Sequence, residues 1–491
     1  MSKFLSVFGV LVCGTVLAEE RVYPNADGSQ RVDSAAAWGV ESLDEIANDS
    51  LVFTNNTTLR IGGDWSFNGL SVQNRPPTRP WSDNINTVVF DATSEGETRT
   101  KLTKTGSDNT LLYSWTKSVY KGGDWDFGGK DIRYSGGSGD AIGHSVTLCD
   151  GATFSNVANF YLRYANNNAY VAKLTLDGIG TSLNVTGDCM LNYYFSASSG
   201  DELLVANGAA ISVDTFDPHG GTALITGVGS SFTAKTRTRY DKAKGSKIVV
   251  ADGATASLAQ VRMGDEASSN GVLRITGAGT TVSSAALFCG CYKGESNRVE
   301  VTDEAVLTVN GSFYIGGDPW YKPTFGHGNE LLVSNATVHV TADIYVGQAD
   351  TADGNTVRLQ GEAPAIVVDS YSTILQNKSR LVFDIPTNGY AATVVPLTVG
   401  NKAGSPLFDE TSSLELNGVA ALQSNLVRRT TYTLIRDGAS NTSYTLAAIP
   451  ESVLERARQS LPEKCTLKLS NDKRSLLLTV GALRGLILWF S

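Results

Sequence analysis

Long apolar runs are almost missing from this sequence. Outside the first 18 residues nothing is extended enough for a transmembrane helix, which takes about 20 apolar residues, so no membrane span is expected in the mature chain. Basic excess is missing too. Lys and Arg number 40 against 49 Asp and Glu, a formal charge of -9, and that balance favours neither nucleic acid nor an anionic membrane as partner. Methionine is rare (3) while glycine is abundant (50), a combination that many turns and few helices explain. Charged residues are 18% and hydrophobic residues 41%, too apolar for a disordered chain and too polar for a membrane bundle. Cysteine is sparse, and beyond Cys13 only Cys149, Cys189, Cys289, Cys291 and Cys465 occur. Their odd number and irregular spacing exclude a disulfide framework. Cys289-Gly290-Cys291 has no second pair to complete a metal or redox site, and Cys289 falls on a core position of the repeat described next.

The chain opens as a secretory signal does. Lys3 supplies the positive end, Phe4 to Val16 is a short apolar run, and Val16-Leu17-Ala18 is a small-residue cleavage site that makes Glu19 the first mature residue. A lipoprotein signal through Cys13 is disfavoured by the bulky Val12. The expected organisation is a signal peptide over 1–18, an N-terminal cap with degenerate coils over 19–142, repeats over 143–379, a C-terminal cap over 380–480 and an apolar tail over 481–491. The expected location is outside the cell or on its surface.

Between Gly143 and Ser379 the sequence repeats itself. Each unit reads as a short alternating strand, a Gly- or Ala-containing turn, two further strands and a closing Gly/Asn/Ser turn. Val250, Ile275, Val301, Val333 and Leu359 hold one position at spacings of 25, 26, 32 and 26, and the closing glycines Gly264, Gly290, Gly316 and Gly347 follow at 26, 26 and 31. Within each first strand every second residue is apolar, as in Ile248/Val250 and Val299/Val301, and the residues between, such as Arg274 and Glu300, point away. Glu300 is expected to lie on the solvent side next to Arg274. One unit cannot bury its apolar face, but stacked units can, strand on strand at about 4.8 Å per coil. The predicted fold is an all-β, right-handed parallel β-helix with three strands per coil, about 24–26 residues per coil, and β caps at both ends. A propeller would need antiparallel blades of about 40–45 residues, and leucine-rich repeats a shorter unit.

Two turn motifs recur: Thr226-Gly227-Val228-Gly229-Ser230 with Thr276-Gly277-Ala278-Gly279-Thr280, and Asp150-Gly151-Ala152 with Asp252-Gly253-Ala254. Over Gly143 to Val480 they make the chain resemble bacterial right-handed β-helix proteins, the pectin-lyase-like solenoids and in particular the passenger regions of autotransporter-like surface proteins. The resemblance implies a fold and no chemistry. It departs from autotransporters in one respect: no series of amphipathic strands for a C-terminal membrane barrel is visible, so surface display would need another component.

At the N-terminal end Gly62-Gly63-Asp64-Trp65-Ser66-Phe67 and Gly122-Gly123-Asp124-Trp125-Asp126-Phe127 are two copies of one motif, read as coil starts, with a ligand site as the competing reading. Arg75 to Trp81 carries three prolines and must be irregular. Past Arg380, Pro386, Pro396 and Pro406 interrupt the repeat, 450–460 is predicted helical, and 465–469 with 475–480 a hairpin. The tail, Leu486 to Phe490, is either a final buried strand or a sorting signal.

Chemistry is hard to find. The chain has a Gly326-His327-Gly328 like that of pectin-cleaving glycosidases but lacks their other three motifs. No matched carboxyl pair for inverting glycoside hydrolysis stands out. Gly136 to Asp140 faintly resembles a calcium nonapeptide, and Asp265, Asp318 and Asp350 follow closing turns where oxygen ligands would sit, although solvated turn acids are commoner. No catalytic residue, cofactor or metal site is predicted. The third strands carry the one specific surface signal. If Val261/Met263, Leu287/Cys289, Phe313/Ile315 and Ile344/Val346 face inward, then Arg262, Phe288, Tyr314 and Tyr345 face outward, one per coil. Beside them the insertion Asp318 to His327 adds Trp320, Tyr321 and Phe325. An exposed strip of Phe288, Tyr314, Tyr345, Trp320 and Tyr321, bordered by Asp318 and His327, is the expected binding face for a polysaccharide or a surface protein. A stabilising aromatic ladder under the loop is the competing reading. Three functions therefore stay open: an adhesin-like binding scaffold, a β-helix polysaccharide lyase or hydrolase, and a purely structural rod.

Overall fold

The computed structural model describes residues 20–22, 50–53, 57–61, 64–67, 69–72 and 86–93. From 99 to 483 it describes all but 106–109, 114–115, 136–143, 164–170, 194–199, 241–243, 265–267, 292–293, 318–325, 349–351, 370–372, 401–406, 439–445 and 447–448. The signal segment, Arg75 to Trp81, the nonapeptide-like stretch, Asp265, Asp350 and the apolar run Leu486 to Phe490 lie outside the described residues.

Strand makes up 55% of the protein and helix 5%, in a parallel β-solenoid, as the glycine-rich, methionine-poor composition predicts. The first strands of successive coils form one parallel sheet of 14 strands, from Thr57–Arg60 to Ser413–Asn417. Its register holds Val250, Ile275, Val301, Val333 and Leu359 in one row, and all five are fully buried. The uneven sequence spacings therefore become one constant step in space, and the 32-residue step costs the ladder nothing. Parallel pairing also extends upstream of the clear repeats, through Asn86–Asp91 and Thr116–Lys121.

The other two faces are made by single bent strands in the middle of the rod, such as Thr281–Cys289, and by separate short ones further on. Thr281–Cys289 pairs along its length with both Val306–Val309 and Phe313–Ile315. Branched and aromatic side chains from all three faces fill the interior. The corner after the first strand alternates between the two turn motifs. In Asp252-Gly253-Ala254 the first two residues have φ of 54° and 81° and Ala254 points inward, fully buried. In Thr276-Gly277-Ala278-Gly279-Thr280 the buried Thr280 hydroxyl accepts a hydrogen bond from the Gly253 N–H at 2.9 Å. Ser230 serves Gly208 at 3.0 Å, and Thr181 serves Gly151 at 3.1 Å. Neighbouring coils are thus keyed to each other at the turn.

Trp125 and Phe127 of the second Gly-Gly-Asp motif are buried. The Trp125 Nε1–H donates to the Gly122 carbonyl at 3.2 Å, and Asp124 accepts from the Thr153 hydroxyl of the next coil at 2.6 Å. These bonds are those of a coil start. Near the other end Glu451–Gln459 is helical and Cys465–Leu469 pairs antiparallel with Ser475–Val480, as expected. A second helix, Val419–Asn425, was not. Thr430–Asp437 pairs parallel with Leu397–Val399 on one side and antiparallel with Ser475–Val480 on the other, so the parallel stacking reverses there.

Candidate functional site

Phe288, Tyr314 and Tyr345 occupy paired positions on adjacent coils and point away from the main core. Their rings stack at the coil spacing: Phe288 to Tyr314 is 4.8 Å at 4°, and Tyr314 to Tyr345 is 5.1 Å at 13°. The Arg262 guanidinium lies 5.0 Å above the Phe288 ring and caps the stack. The expected exposure does not hold for the first two rings, since Phe288 is 0% and Tyr314 8% exposed. With Cys291 they form a second apolar cluster outside the main one, against which Ala286 and the half-buried Tyr345 pack. Stacked flat rings withdraw each other's faces from water, and Arg262, itself only 5% exposed, covers the end. Among the three stacked rings Tyr345 keeps the most open surface, and its hydroxyl donates to Asp343 at 3.0 Å. The two thiols separate here. Cys289 belongs to the main core and Cys291 to the ring cluster, and burial pushes the Cys289 thiol well up, which opposes thiolate chemistry.

Asp318, Trp320 and Tyr321 lie outside the described residues, which end at Gly317 and resume at Gly326. Gly316, Gly317 and Gly326 meet there. A Cβ on Gly326 would lie 2.3 Å from the Gly290 carbonyl oxygen, 2.8 Å from the Gly316 Cα and 3.0 Å from the Gly317 nitrogen. Only glycine lets the chain leave and re-enter the coil at one point. Across this excursion the flanking strands keep their register, with Arg298–Thr302 on Glu330–Ser334 and Phe313–Ile315 on Ile344–Val346. His327, next to the exit, is 38% exposed at its side chain, and its Nδ1 lies 2.6 Å from Asp353 Oδ1 on the following coil. The structure thus brings His327 to the foot of the insertion and Tyr345 to the open end of the ring stack.

On the outer side of the 14-stranded sheet the charges also form a ladder. Glu300 points outward as expected but is not solvated: it is 5% exposed, gripped by Arg274 and by Arg298 at 3.2 Å. Arg298 goes on to Glu330 at 3.1 Å, and Arg358 joins Glu330 at 3.1 Å to Asp384 at 2.7 Å. Long arginine stems lying across the sheet cover the carboxylate between them.

Sequence reasoning missed a third ladder, inside the corner that precedes each first strand. Asn297, Asn329 and Asn355 sit there fully buried. Asn329 Oδ1 accepts from the Asn297 N–H at 2.9 Å and its amide at 3.2 Å, and Asn355 Oδ1 accepts from the corresponding groups of Asn329 at 3.0 and 3.1 Å. The closing glycines make room for it. A Cβ on Gly290 would come within 2.2 Å of the Asn329 amide, and one on Gly316 within 2.1 Å of that of Asn355. The signal was present in the sequence: each of these asparagines precedes its core anchor Val301, Val333 or Leu359 by four residues.

Compared with family models, with curated proteins and with solved structures, the chain matches none.

Proposed function

We propose that this chain is a secreted or cell-surface scaffold, adhesin-like and related in plan to autotransporter passengers, that binds glycan or protein at the 318–325 insertion. One observation carries the reading. The insertion leaves and returns at a single glycine-pinched point, and the strands on either side pair as if it were absent. On this reading Trp320, Tyr321 and Phe325 serve recognition rather than the fold. Tyr345, His327 and Asp353 would extend the face beyond the loop. Aromatic rings beside polar groups suit sugar rings and protein hot spots alike.

A glycan array, run beside assays for reducing-end release, tests the reading. Binding without turnover is expected, and release of reducing ends would replace the scaffold with an enzyme. For any ligand found, Trp320→Ala with Tyr321→Ala is expected to weaken binding by about 1–3 kcal/mol or more while the circular dichroism of the rod stays unchanged. Unchanged affinity in the double variant would remove the site.

A further inference from the structure

The corner that holds the asparagine ladder is of a different chemical kind nearer the N-terminus. At the position before the first strand, where later coils have Asn297, Asn329 and Asn355, the earlier ones have His144 and Asp201, two coils apart. Asp201 is fully buried and pairs with Arg163, 3.1 Å from Asp201 Oδ2 to Nε, at side-chain exposures of 0% and 1%. Its other oxygen accepts the Ala172 N–H at 2.9 Å. His144 is 2% exposed. Its Nε2 lies 2.6 Å from the Leu162 carbonyl oxygen, which can only accept, so Nε2 carries the proton and Nδ1 is the basic nitrogen. That Nδ1 is buried. The imidazole lies flat on the Tyr134 ring, 5.3 Å away at 11°, and Tyr134 shares a buried hydroxyl contact with Tyr120. The Arg163 guanidinium, one residue on from Leu162, disfavours a positive charge on the imidazole. Asp217 and His219, 3.5 Å apart, are buried at the same corner further along.

A proton on His144 would thus place a second buried cation beside Arg163, whose carboxylate partner is already engaged by the guanidinium and by a backbone N–H. At the matching position the later coils hold neutral amides and, at Ser379 and Ser412, hydroxyls; the histidine described nearest to it, His327, is 38% exposed at its side chain and sits against Asp353 rather than in the interior. We propose that this corner is an acid-operated latch: when His144 is protonated, the coils from about residue 144 to 217 loosen, while the amide-laddered coils from about 297 to 360 stay closed.

Burial is the main force holding the imidazole neutral, lowering its pKa from 6.5 to about 4; the Leu162 bond opposes that shift and Arg163 reinforces it. The sign follows. In the closed rod the group stays neutral to about pH 4, whereas an opened corner takes up a proton below 6.5, so closure is strongest at neutral pH and weakens as pH falls between those values. Linkage allows opening to rise by about 60-fold between pH 7 and pH 4.5, with a ceiling of about 300-fold.

Hydrogen exchange of the full mature chain at pH 7 and pH 4.5, corrected for intrinsic exchange, tests the latch. Expected is a rise of that order in the strands Ser145–Cys149 and Glu202–Ala206, with Arg298–Thr302 and Glu330–Ser334 unchanged. His144→Gln keeps a donor for the Leu162 carbonyl but cannot be protonated, and is expected to abolish the rise. A rise equal along the whole rod, no rise, or the same rise in the variant would each overturn the proposal. If His144→Gln does not fold, the wild-type chain still decides. It has four histidines, and ¹³C-labelled imidazole spectra of His144 should show the neutral ring down to about pH 4 while the rod is closed. Titration near pH 6.5 in the closed rod would overturn it.

Discussion

Truncating Asn329 to alanine should damage the rod more than its small volume implies. The side chain is fully buried and takes part in four hydrogen bonds. Its Oδ1 accepts from the N–H and the amide of Asn297 at 2.9 and 3.2 Å. Its Nδ2 donates to the Gly294 carbonyl at 3.2 Å and to Asn355 Oδ1 at 3.1 Å. Alanine removes all four, and groups of Asn297 and Gly294 lose a partner in a corner closed to water. Each buried group so orphaned costs about 1–3 kcal/mol, so a loss of about 3–5 kcal/mol is expected. Gly290→Ala is damaging for the complementary reason, since its Cβ would lie 2.2 Å from the Asn329 amide. The two changes should couple: with Asn329 truncated, the three atoms that the new methyl would strike are gone, while the strain of alanine at a φ of 87° remains. A double-mutant cycle by urea unfolding should therefore give a coupling of at least about 1 kcal/mol. Unfolding of a solenoid need not be two-state, so exchange protection of the strand Glu330–Ser334 serves as the local readout. A loss under about 1 kcal/mol for Asn329→Ala, or strict additivity with Gly290→Ala, would refute the ladder's role.

Other perturbations probe the remaining ladders. Val301→Asp should cost several kcal/mol by chemical denaturation, since it sets an isolated charge among fully buried apolar neighbours. Glu300→Ala should cost about 1–2 kcal/mol, more than an exposed ion pair, because Glu300 is 5% exposed and serves both Arg274 and Arg298; a loss no larger than that of an ordinary surface charge would contradict its burial. Phe288→Ala should cost about 3–5 kcal/mol, as for a core ring, and a neutral result would mean the ring is open to solvent after all. Burial pushes the Cys189 thiol from 9.0 up to about 12. The folded chain therefore keeps a proton that the unfolded chain loses, and stability should fall as pH rises from 9 towards 12. Cys189→Ala should make the melting temperature fall less steeply across that interval, the rest of the fall coming from Cys289 and buried tyrosines such as Tyr120 and Tyr240.

The repeat was legible because its strongest signal is local. Alternation within five residues assigns an inward face, and a recurring anchor such as Val301 or Val333 gives the coil. Direction is a weaker property than burial, and there the reading faltered. Phe288 and Glu300 do point outward, as alternation requires, yet both are buried. Arg298 apart, the partners that cover them lie one coil away in space and 26 residues away in sequence. Rings stack on rings and arginines lie over glutamate, which no pattern within one strand reports. The asparagine ladder was hidden for another reason. Asn297, Asn329 and Asn355 look like turn residues, as asparagine commonly is, and only their constant offset from the anchors separates a buried ladder from a solvated turn. The excursion at 318–325 was legible as an insertion because it lengthens one step of an otherwise even period.

That contrast bears on where recognition can reside in such a rod. Parallel coils in register place like residues above like residues, so an outward or corner side chain finds its best partner on the next coil. Phe288 takes Tyr314, Arg298 takes Glu330, Asn329 takes Asn355, and the Thr280 hydroxyl takes the Gly253 N–H. A polar group or ring engaged in this way is held by the stack, and a ligand would have to compete with bonds that already stabilise the fold. On either side of Gly317 and Gly326, which meet, the strands keep the register of their coils. A fold stabilised by ladders thus concentrates its freedom to vary in its excursions, and the excursion richest in aromatic residues is the place where a change of sequence should alter binding and leave the rod standing.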